Sequence, residues 1–197
     1  MPVIMELEDL VSRCRSFRRF DETMPVDVGT LRGLVSLARR TPSAANRQPL
    51  KYVLSCEPSW NARIFETLAW AAYLPDWGGP IPGEGPTAYV VVLLDTGITQ
   101  SADIDVGIVC QTMLLGAAER GLGGCILASV KRSELAKSLE LPDRLQIAVV
   151  VALGKPLERI VLEDLPSDGS IKYHRDPDGT HHVPKRPLDE LILAVYS

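Results

Sequence analysis

Two uninterrupted apolar segments constrain the fold of this chain more than any other feature. Residues 89–94 read YVVVLL, and residues 145–153 read LQIAVVVAL. A strand with one face in water alternates apolar and polar residues, whereas a continuous apolar run needs cover on both faces. Both segments are therefore predicted to be buried strands of a sheet that is covered on each side.

Shorter elements surround these strands. Strands are predicted over residues 51–56 and 125–130, helices over 6–14, 27–40, 61–73 and 133–139, and a hairpin over 171–183 around the turn 176–179. Asp27 is placed to cap the second helix. Residues 74–86 contain four prolines and four glycines, which break regular structure. Strands and helices alternate without a uniform βαβ repeat, so we predict an α+β fold in one domain over residues 1–197.

Residues 103–120 are predicted to form the longest helix, and this helix is apolar nearly all round. Helical spacing places Val106, Val109, Cys110, Met113, Leu114 and Ala117 on one face, and Ile104, Ile108 and Leu115 on the other side. A helix of this kind must be buried, either centrally or at a subunit interface. Gly107 and Gly116 would allow the close approach of a neighbour.

Composition restricts the partners and the compartment. The chain has 21 basic and 25 acidic residues, and its net charge of −4 argues against nucleic acid as the main partner. No apolar run approaches the ~20 residues needed to span a bilayer. Residues 1–10 carry acids and lack the apolar core of a signal peptide. The four cysteines are widely spaced, without a CxxC pair, so no disulfide framework is expected. We expect a cytoplasmic protein without a membrane partner.

A basic cluster follows the first predicted helix of this acidic chain. Arg13, Arg15, Arg18 and Arg19 fall within seven residues. Cations are favourable at a helix C-terminus, so a solvated basic helix end would explain them. Arg15, Ser16 and Arg18 also offer guanidinium groups and a hydroxyl to a phosphate. The cluster alone leaves both interpretations open.

Three further segments favour the second interpretation. They are PSAANRQP at residues 42–49, GLGGCI at 121–126 and KRPL at 185–188. Taken in order with the basic cluster, they resemble the nitroreductase family of flavin mononucleotide (FMN) enzymes, from about residue 7 to the end of the chain. The segment 42–49 is similar to the family pattern Pro-Ser-x-x-Asn-x-Gln-Pro and matches it without gaps.

The basic cluster is similar to the family pattern Arg-Arg-Ser-x-Arg-x-Phe, with one departure. The matching residues are Arg15, Ser16, Arg18 and Phe20. Where many relatives carry the first arginine, this chain has Cys14, and a thiol cannot form a bidentate pair with a phosphate. The departure leaves open whether Cys14 neighbours the cofactor.

The resemblance implies a role for each matching residue in the opening and closing segments. Arg15, Ser16 and Arg186, together with Lys185, would hold the flavin phosphate. Arg18 would reach the N1/C2=O edge of the ring, where a fixed positive charge stabilises the anionic reduced flavin. No side chain is assigned as catalytic, since the flavin N5 carries the chemistry in this family.

The resemblance also implies a site that two subunits share. The other subunit would contribute Pro42, Ser43, Ala44 and Asn46. The backbone amides near Leu127 and Ala128 would face flavin N5 and O4. Gln48 would either brace the loop around residues 43–46 or touch the substrate.

The apolar tail, residues 188–196, has two interpretations. It is either a terminal helix packed on its own core or, as in the family, an arm that crosses to the partner and adds a strand to its sheet. The family fold is an intertwined homodimer with an exchanged C-terminal arm and a central, mostly antiparallel sheet flanked by helices.

Two groups of side chains near the Pro/Gly-rich segment and the hairpin need separate interpretations. Adjacent histidines on a strand face opposite sides, so His181 and His182 cannot easily bind one ion. These two residues and His174 are expected on the surface of the hairpin. No metal site is predicted. Tyr73 and Trp77 either pack around their loop or face the substrate pocket.

The resemblance implies an NAD(P)H-dependent oxidoreductase. FMN would take hydride from NADH or NADPH and pass it to a small electron-poor acceptor such as a nitroaromatic or a quinone. The alternative is a flavin-binding protein without nicotinamide turnover, serving as carrier, sensor or cofactor-handling factor. A third outcome is a protein without flavin. No GxGxxG segment follows a predicted strand, so the choice between NADH and NADPH cannot be read from the sequence.

Overall fold

The chain divides into two units in the computed structural model, which describes residues 6–196. The first unit comprises the residues up to Trp70 together with Gly78–Leu157, and the second comprises Ala71–Trp77 and the residues from Glu158 onward. Residues 1–5, where the segment examined for a signal peptide begins, lie outside the described residues. The single domain over residues 1–197 stays a prediction.

A five-stranded antiparallel sheet forms the centre of the first unit. Its strands are β1 Phe20–Asp21, β2 Leu50–Ser55, β3 Ala88–Asp95, β4 Gly123–Leu127 and β5 Leu145–Pro156. β5 pairs with β3, β4 and β1, and β2 pairs with β3. The two apolar segments are thus adjacent central strands, with Val91 opposite Val150. Their prediction as buried strands is confirmed.

Helices cover this sheet. They are α1 Leu7–Arg13, α2 Val28–Ala38, α3 Pro58–Phe65, α4 Asp103–Glu119 and α5 Arg132–Ser138. Leu34 of α2 and Met113 of α4 are fully buried in one core with Val90 of β3. The Asp27 carboxylate accepts the backbone N–H of Thr30 at 2.9 Å and caps α2 as predicted. The α+β fold with a central antiparallel sheet is confirmed.

The predicted helix over residues 61–73 is wrong at both ends. α3 begins at Pro58, because proline suits the first helical turn and the Glu57 carboxylate accepts the backbone N–H of Trp60 at 3.1 Å. The helix ends at Phe65, and the hydroxyl of Thr67 donates to the carbonyl of Ile64 at 2.7 Å. Such local hydrogen bonds compete with helix continuation.

The predicted strand over residues 125–130 is displaced. Gly121 adopts a φ of 67° just after α4, a conformation that favours glycine. The strand β4 begins directly afterwards at Gly123, which pairs with Gly154 of β5. Beyond Leu127 the strand ends, and Val130 forms an isolated antiparallel bridge with Leu68.

The second unit contains a three-stranded sheet. Its elements are β6 Ile160–Asp164, β7 His174–Arg175, β8 His181–Lys185 and the short helix α6 Leu188–Leu191. β8 lies between its neighbours, parallel to β6 and antiparallel to β7, and Gly179 turns the β7–β8 hairpin with a φ of 87°. The hairpin was predicted, whereas β6 was not. Among residues 6–196, no helix is long and apolar enough to cross a membrane.

Candidate functional site

The basic opening segment, residues 13–20, is fixed against the glycine turn at residues 121–124. Ser16 forms a parallel bridge with Gly124, and the N–H of Phe17 donates to the carbonyl of Gly124 at 3.0 Å. A Cβ atom on Gly123 would overlap the Phe17 ring, and one on Gly124 would lie 2.5 Å from the carbonyl oxygen of Ala152. Glycine is required at both positions because the backbones approach so closely. The structure therefore brings together two of the four predicted segments.

The strand that begins at this turn leads to the predicted amide site. Leu127 is three residues beyond Gly124, about 10 Å at the usual rise of a strand. Leu127 is buried, and Ala128, which follows directly after the end of β4, is exposed. The segment 15–18 and the backbone at residues 127–128 are thus separated along one strand by a length suited to an extended ligand.

Arg19 is already paired, which separates it from its neighbours in the cluster. Its Nε lies 2.7 Å and its Nη2 2.5 Å from the two carboxylate oxygens of Glu84. This bidentate arrangement is the preferred geometry of an arginine–carboxylate pair. Arg19 is therefore a structural residue of the loop that contains Glu84.

Arg15, in contrast, keeps an unsatisfied donor. Its Nη2 donates to the carbonyl of Val11 at 2.7 Å, but its Nε is buried and has no hydrogen-bond partner among the described residues. Arg18 Nη1 donates to the carbonyl of Ser16 at 3.2 Å. A buried donor without an acceptor costs about 1–3 kcal/mol. An anion at Arg15 would remove that cost, so the donor set fits a phosphate.

Cys14 faces the core. Its side chain is 8% exposed, belongs to the main hydrophobic cluster and accepts a hydrogen bond from Gln111 Nε2, 3.7 Å from the sulfur. Burial raises the pKa of the Cys14 thiol, and the Gln111 hydrogen bond offsets part of that rise. The residue that departs from the family pattern is thus a neutral core thiol in this chain.

The loop over residues 42–49 is anchored by a buried carboxylate that the sequence analysis missed. Asp105 of α4 is 3% exposed; it accepts the hydroxyl of Ser43 at 2.5 Å and the backbone N–H of Ala44 at 3.1 Å. The Ser43 oxygen in turn accepts the N–H of Gln48 at 2.9 Å. The only sequence signal was an acid at a position where helical spacing predicts the buried face.

The same loop holds its backbone in an unusual conformation. Ala45, Asn46 and Gln48 have φ values of 50°, 52° and 51°, in the left-handed region that non-glycine residues seldom adopt. Gln48 Nε2 donates to the side-chain oxygen of Asn46 at 3.0 Å and to its carbonyl at 3.2 Å. Gln48 therefore braces the loop around residues 43–46, the first of the two roles considered for it. Strained backbone of this kind is concentrated at functional sites.

A cavity of about 210 Å³ adjoins this loop. Its walls include Thr41, Ser43, Tyr52 and Asp105. Burial raises the pKa of Tyr52 to about 12, and the neighbouring Cys110 and Asp105 add to the rise. The Tyr52 phenol therefore stays protonated and is a hydrogen-bond donor at the cavity wall.

The loop and the opening segment lie on different sides of α4. Asp105 contacts the loop and Gln111 contacts Cys14. The two anchors are six residues apart, which places them about 9 Å apart along the helix and about 120° apart around it. None of the described residues 15–18 lines the cavity beside the loop. Within one chain, then, these two parts of the predicted site are anchored at different points of α4.

Lys185 and Arg186 belong to the second unit. Lys185 is the last residue of β8, and Arg186 Nη1 lies 2.5 Å from the carboxylate oxygen of Glu190. The Arg186–Glu190 pair is half-exposed, and exposed pairs of this kind are weak, so Glu190 holds the guanidinium only loosely. The contribution of Lys185 and Arg186 to a phosphate site stays a prediction.

Tyr73 and Trp77 pack within the second unit. The Tyr73 ring lies 5.0 Å from the Tyr173 ring, and the Arg175 guanidinium lies 4.8 Å from the centre of the Trp77 ring. These are aromatic and cation–π contacts of normal length. Packing of both residues is confirmed, and a role in a substrate pocket stays a prediction.

Comparison with known proteins gives the same result as the motifs. The model of the Nitroreductase family matches residues 11–155, which is most of the chain. The chain belongs to the nitroreductase family. The recognition from four short segments is thereby confirmed.

Solved structures of other family members share the fold. A candidate nitroreductase from Desulfovibrio desulfuricans, in complex with FMN, has a TM-score of 0.69 and 22% identity and covers 99% of both chains. The family protein of Streptococcus pneumoniae TIGR4 has a TM-score of 0.69 and 18% identity, over 96% of this chain and 100% of that one. A candidate NADH dehydrogenase/NAD(P)H nitroreductase from Parabacteroides distasonis has a TM-score of 0.62 and 22% identity, over 76% of this chain and 86% of that one. At these identities the likeness establishes the fold.

Proposed function

We propose that this nitroreductase-family chain binds FMN and transfers hydride from NADH or NADPH to a small electron-poor acceptor, such as a nitroaromatic or a quinone. The observation that carries the proposal is the buried, unsatisfied Nε of Arg15 beside Ser16, at the start of the strand that ends at Leu127. When bound, FMN supplies the hydride exchange itself. The FMN complex of the Desulfovibrio relative supports the choice of cofactor.

The residues of the opening segment would bind and orient the cofactor. Arg15 and Ser16 would hold its phosphate, with Lys185 and Arg186 supplying further positive charge. Arg18 would supply a fixed positive charge that favours the reduced, anionic state. The backbone at residues 127–128 would donate hydrogen bonds to the ring. Each of these roles needs a hydrogen-bond donor or a cation, which suits the phosphate and the ring acceptors of FMN.

The remaining contacts would come from a second copy of the chain. In this proposal the partner supplies Pro42, Ser43, Ala44 and Asn46. The separate anchors of the two segments on α4, Asp105 for the loop and Gln111 for the opening segment, support it. A homodimer would bring the loop of one subunit to the arginines of the other.

The outer side of α4 supports such a dimer. Ile104 is 78% exposed, and Ile108 is half-buried on the same stripe of the helix, whereas Leu115 packs against the core of its own chain. A Cβ atom on Gly107 would meet nothing within 4 Å, so a partner can approach there. Gly116, by contrast, packs tightly against α2 in its own chain. We therefore place the stripe, and not Gly116, in the dimer interface.

The C-terminal tail would cross to the partner as an arm. After α6 it has no regular structure, and Leu193 and Tyr196 are each 97% exposed. Apolar side chains at such exposure favour burial against another surface. Light scattering should give a dimer for the full chain. A chain that ends at residue 187 should form a weaker dimer, which dissociates at a higher protein concentration than the full chain does.

The absorbance spectrum tests the function directly. We expect purified protein to carry stoichiometric FMN, and anaerobic addition of NADH or NADPH to bleach its flavin bands. Retained flavin that neither nucleotide bleaches would instead indicate a carrier, sensor or cofactor-handling protein. Protein that neither retains nor rebinds FMN would overturn the assignment of Arg15 and Ser16.

A further inference from the structure

Three adjacent strands of the second unit each place a metal-ligating side chain on the same face. His174 of β7 lies directly opposite His182 of β8, and Val161 of β6 lies opposite His182 on the other side. Glu163 is two residues beyond Val161. Because alternate residues of a strand share a face, Glu163 lies on the same side of the sheet as both histidines.

The ligand atoms of these three residues converge. Glu163 Oε2 lies 2.9 Å from His182 Nδ1, and the rings of His174 and His182 stack with centroids 4.8 Å apart. One ligand atom from each residue lies within 4.8 Å of the other two. Ligand atoms of a tetrahedral Zn²⁺ site, with bonds of about 2.1 Å, are about 3.4 Å apart. Side-chain rotations that move the ligand atoms by roughly 1 Å would therefore complete the tetrahedral geometry.

A fourth residue holds His182 in the orientation that a metal ligand needs. Asp176 Oδ2 lies 3.1 Å from His182 Nε2, on the side of the ring away from Glu163. A carboxylate that accepts from one ring nitrogen directs the lone pair of the other nitrogen toward the ion. Asp176 would thus place the lone pair on Nδ1, next to Glu163.

This arrangement differs from the pair of histidines that the sequence draws attention to. His181 is buried on the opposite face, with its ring 5.1 Å from that of Tyr173, so the expectation that it lies on the hairpin surface is wrong. Its position on the other face keeps it apart from His182. The second imidazole comes instead from His174, across the hairpin. That pairing depends on the strand register, which the sequence does not reveal.

We propose that Glu163, His174 and His182 form a binding site for one divalent transition-metal ion, with Zn²⁺ the best match. Imidazole nitrogens suit Zn²⁺, whereas Mg²⁺ and Ca²⁺ prefer oxygen ligands throughout. His174 is exposed, which leaves the ion a path from solvent. The ion would cross-link β6, β7 and β8, and so stabilise the strand that ends at Lys185. The proposal does not depend on FMN.

Calorimetric titration of the untagged, EDTA-treated protein with Zn²⁺ tests this site. We expect stoichiometric binding, weakened about tenfold or more by His174→Ala and by His182→Ala, and no binding of Mg²⁺. Glu163→Gln should also weaken binding. Asp164→Asn is the matched control, since it removes a carboxylate from the next position, on the opposite face of β6, and should leave the affinity unchanged.

Two results would overturn the proposal. One is a Zn²⁺ dissociation constant of about 1 mM or weaker for the unaltered protein. The other is an equal affinity in the unaltered protein and in both histidine variants. Circular dichroism and FMN content, measured on every variant, should match those of the unaltered protein, so loss of the metal site is distinguished from misfolding and from a failed flavin assignment.

Discussion

The opening segment and the loop over residues 42–49 carry the two longest family motifs, yet the fold holds them by different means. The opening segment is fixed by backbone pairing at Gly124 and by close packing of Phe17, and its Arg15 side chain keeps an unsatisfied donor. The loop is fixed by side-chain hydrogen bonds to the buried Asp105 and has three residues with positive φ. Backbone contacts leave binding side chains available, whereas side-chain contacts consume them.

This difference predicts which substitutions change cofactor binding alone and which also change stability. In the opening segment the residues that bind are not the residues that stabilise, so each property can be changed alone. In the loop, Ser43 and Ala44 are both candidate contacts of the cofactor and partners of the anchor. A change at the anchor should therefore reduce stability and cofactor binding together.

Gly124→Ala should have the largest effect. The added Cβ would lie 2.5 Å from the carbonyl oxygen of Ala152, so β4 and β5 must separate, at a cost of about 3 kcal/mol or more. Urea unfolding measures the loss. Gly33→Ala is the control, because a Cβ there has room and alanine favours a helix, and it should not destabilise the protein. Equal unfolding midpoints for Gly124→Ala and the unaltered protein would refute the requirement for glycine.

Asp105→Ala should cost about 2 kcal/mol, since the Ser43 hydroxyl and the Ala44 N–H lose their acceptor. FMN content should fall with it. Asp103→Ala removes an exposed acid from the same helical turn and should cost much less. The free energy of unfolding and the bound flavin are the two measurements. Similar losses for both aspartates would show that Asp105 does not anchor the loop.

Arg15→Ala should change binding and leave the fold intact. We expect FMN affinity to fall about 10- to 100-fold, the value of a charged hydrogen bond. The free energy of unfolding of the flavin-free variant should stay within about 0.5 kcal/mol of that of the flavin-free unaltered protein. Arg19→Ala should show the reverse, because Arg19 is paired with Glu84. Fluorescence titration with FMN compares the two variants. If Arg19→Ala lowers the affinity for FMN as much as Arg15→Ala does, the assignment of Arg15 to the phosphate is wrong.

Ala45→Gly should have the smallest effect, and a favourable one. Ala45 has a φ of 50°, so glycine relieves strain there, and we expect a gain of about 0.5–1 kcal/mol. Ala44→Gly is the matched control: Ala44 has no such conformation, so glycine only adds flexibility and should destabilise. The comparison is made by urea unfolding. Destabilisation by Ala45→Gly would mean that the loop is not strained.

Some features of the fold and site could be predicted because the sequence signals them locally. The strands β3 and β5 follow from continuous apolar runs, and the glycines of the segment 121–126 lie directly after α4, where Gly121 has a positive φ. The motif residues Arg15 and Ser16 were found by resemblance, and the structure places them beside the glycine turn. These features depend on residues that are close together in the chain.

Other features depend on distant residues and were missed for that reason. Asp105 lies where helical spacing predicts the buried face, but its partner Ser43 is 62 residues away, and the sequence does not reveal that contact. β6 escapes detection because it is only half-buried and pairs in parallel with a strand about 20 residues later. The orientation of Cys14 toward Gln111 likewise follows from how α1 packs on α4.

A mixed dimer tests the shared flavin site most directly. Co-expressed Arg15→Ala and Asn46→Ala chains, each with a different tag, form a heterodimer in which one site has both halves intact and the other has both altered. We predict that either altered homodimer binds little FMN and that the heterodimer recovers about half of the normal content. A heterodimer that binds no more FMN than the two homodimers would contradict a site built from two chains.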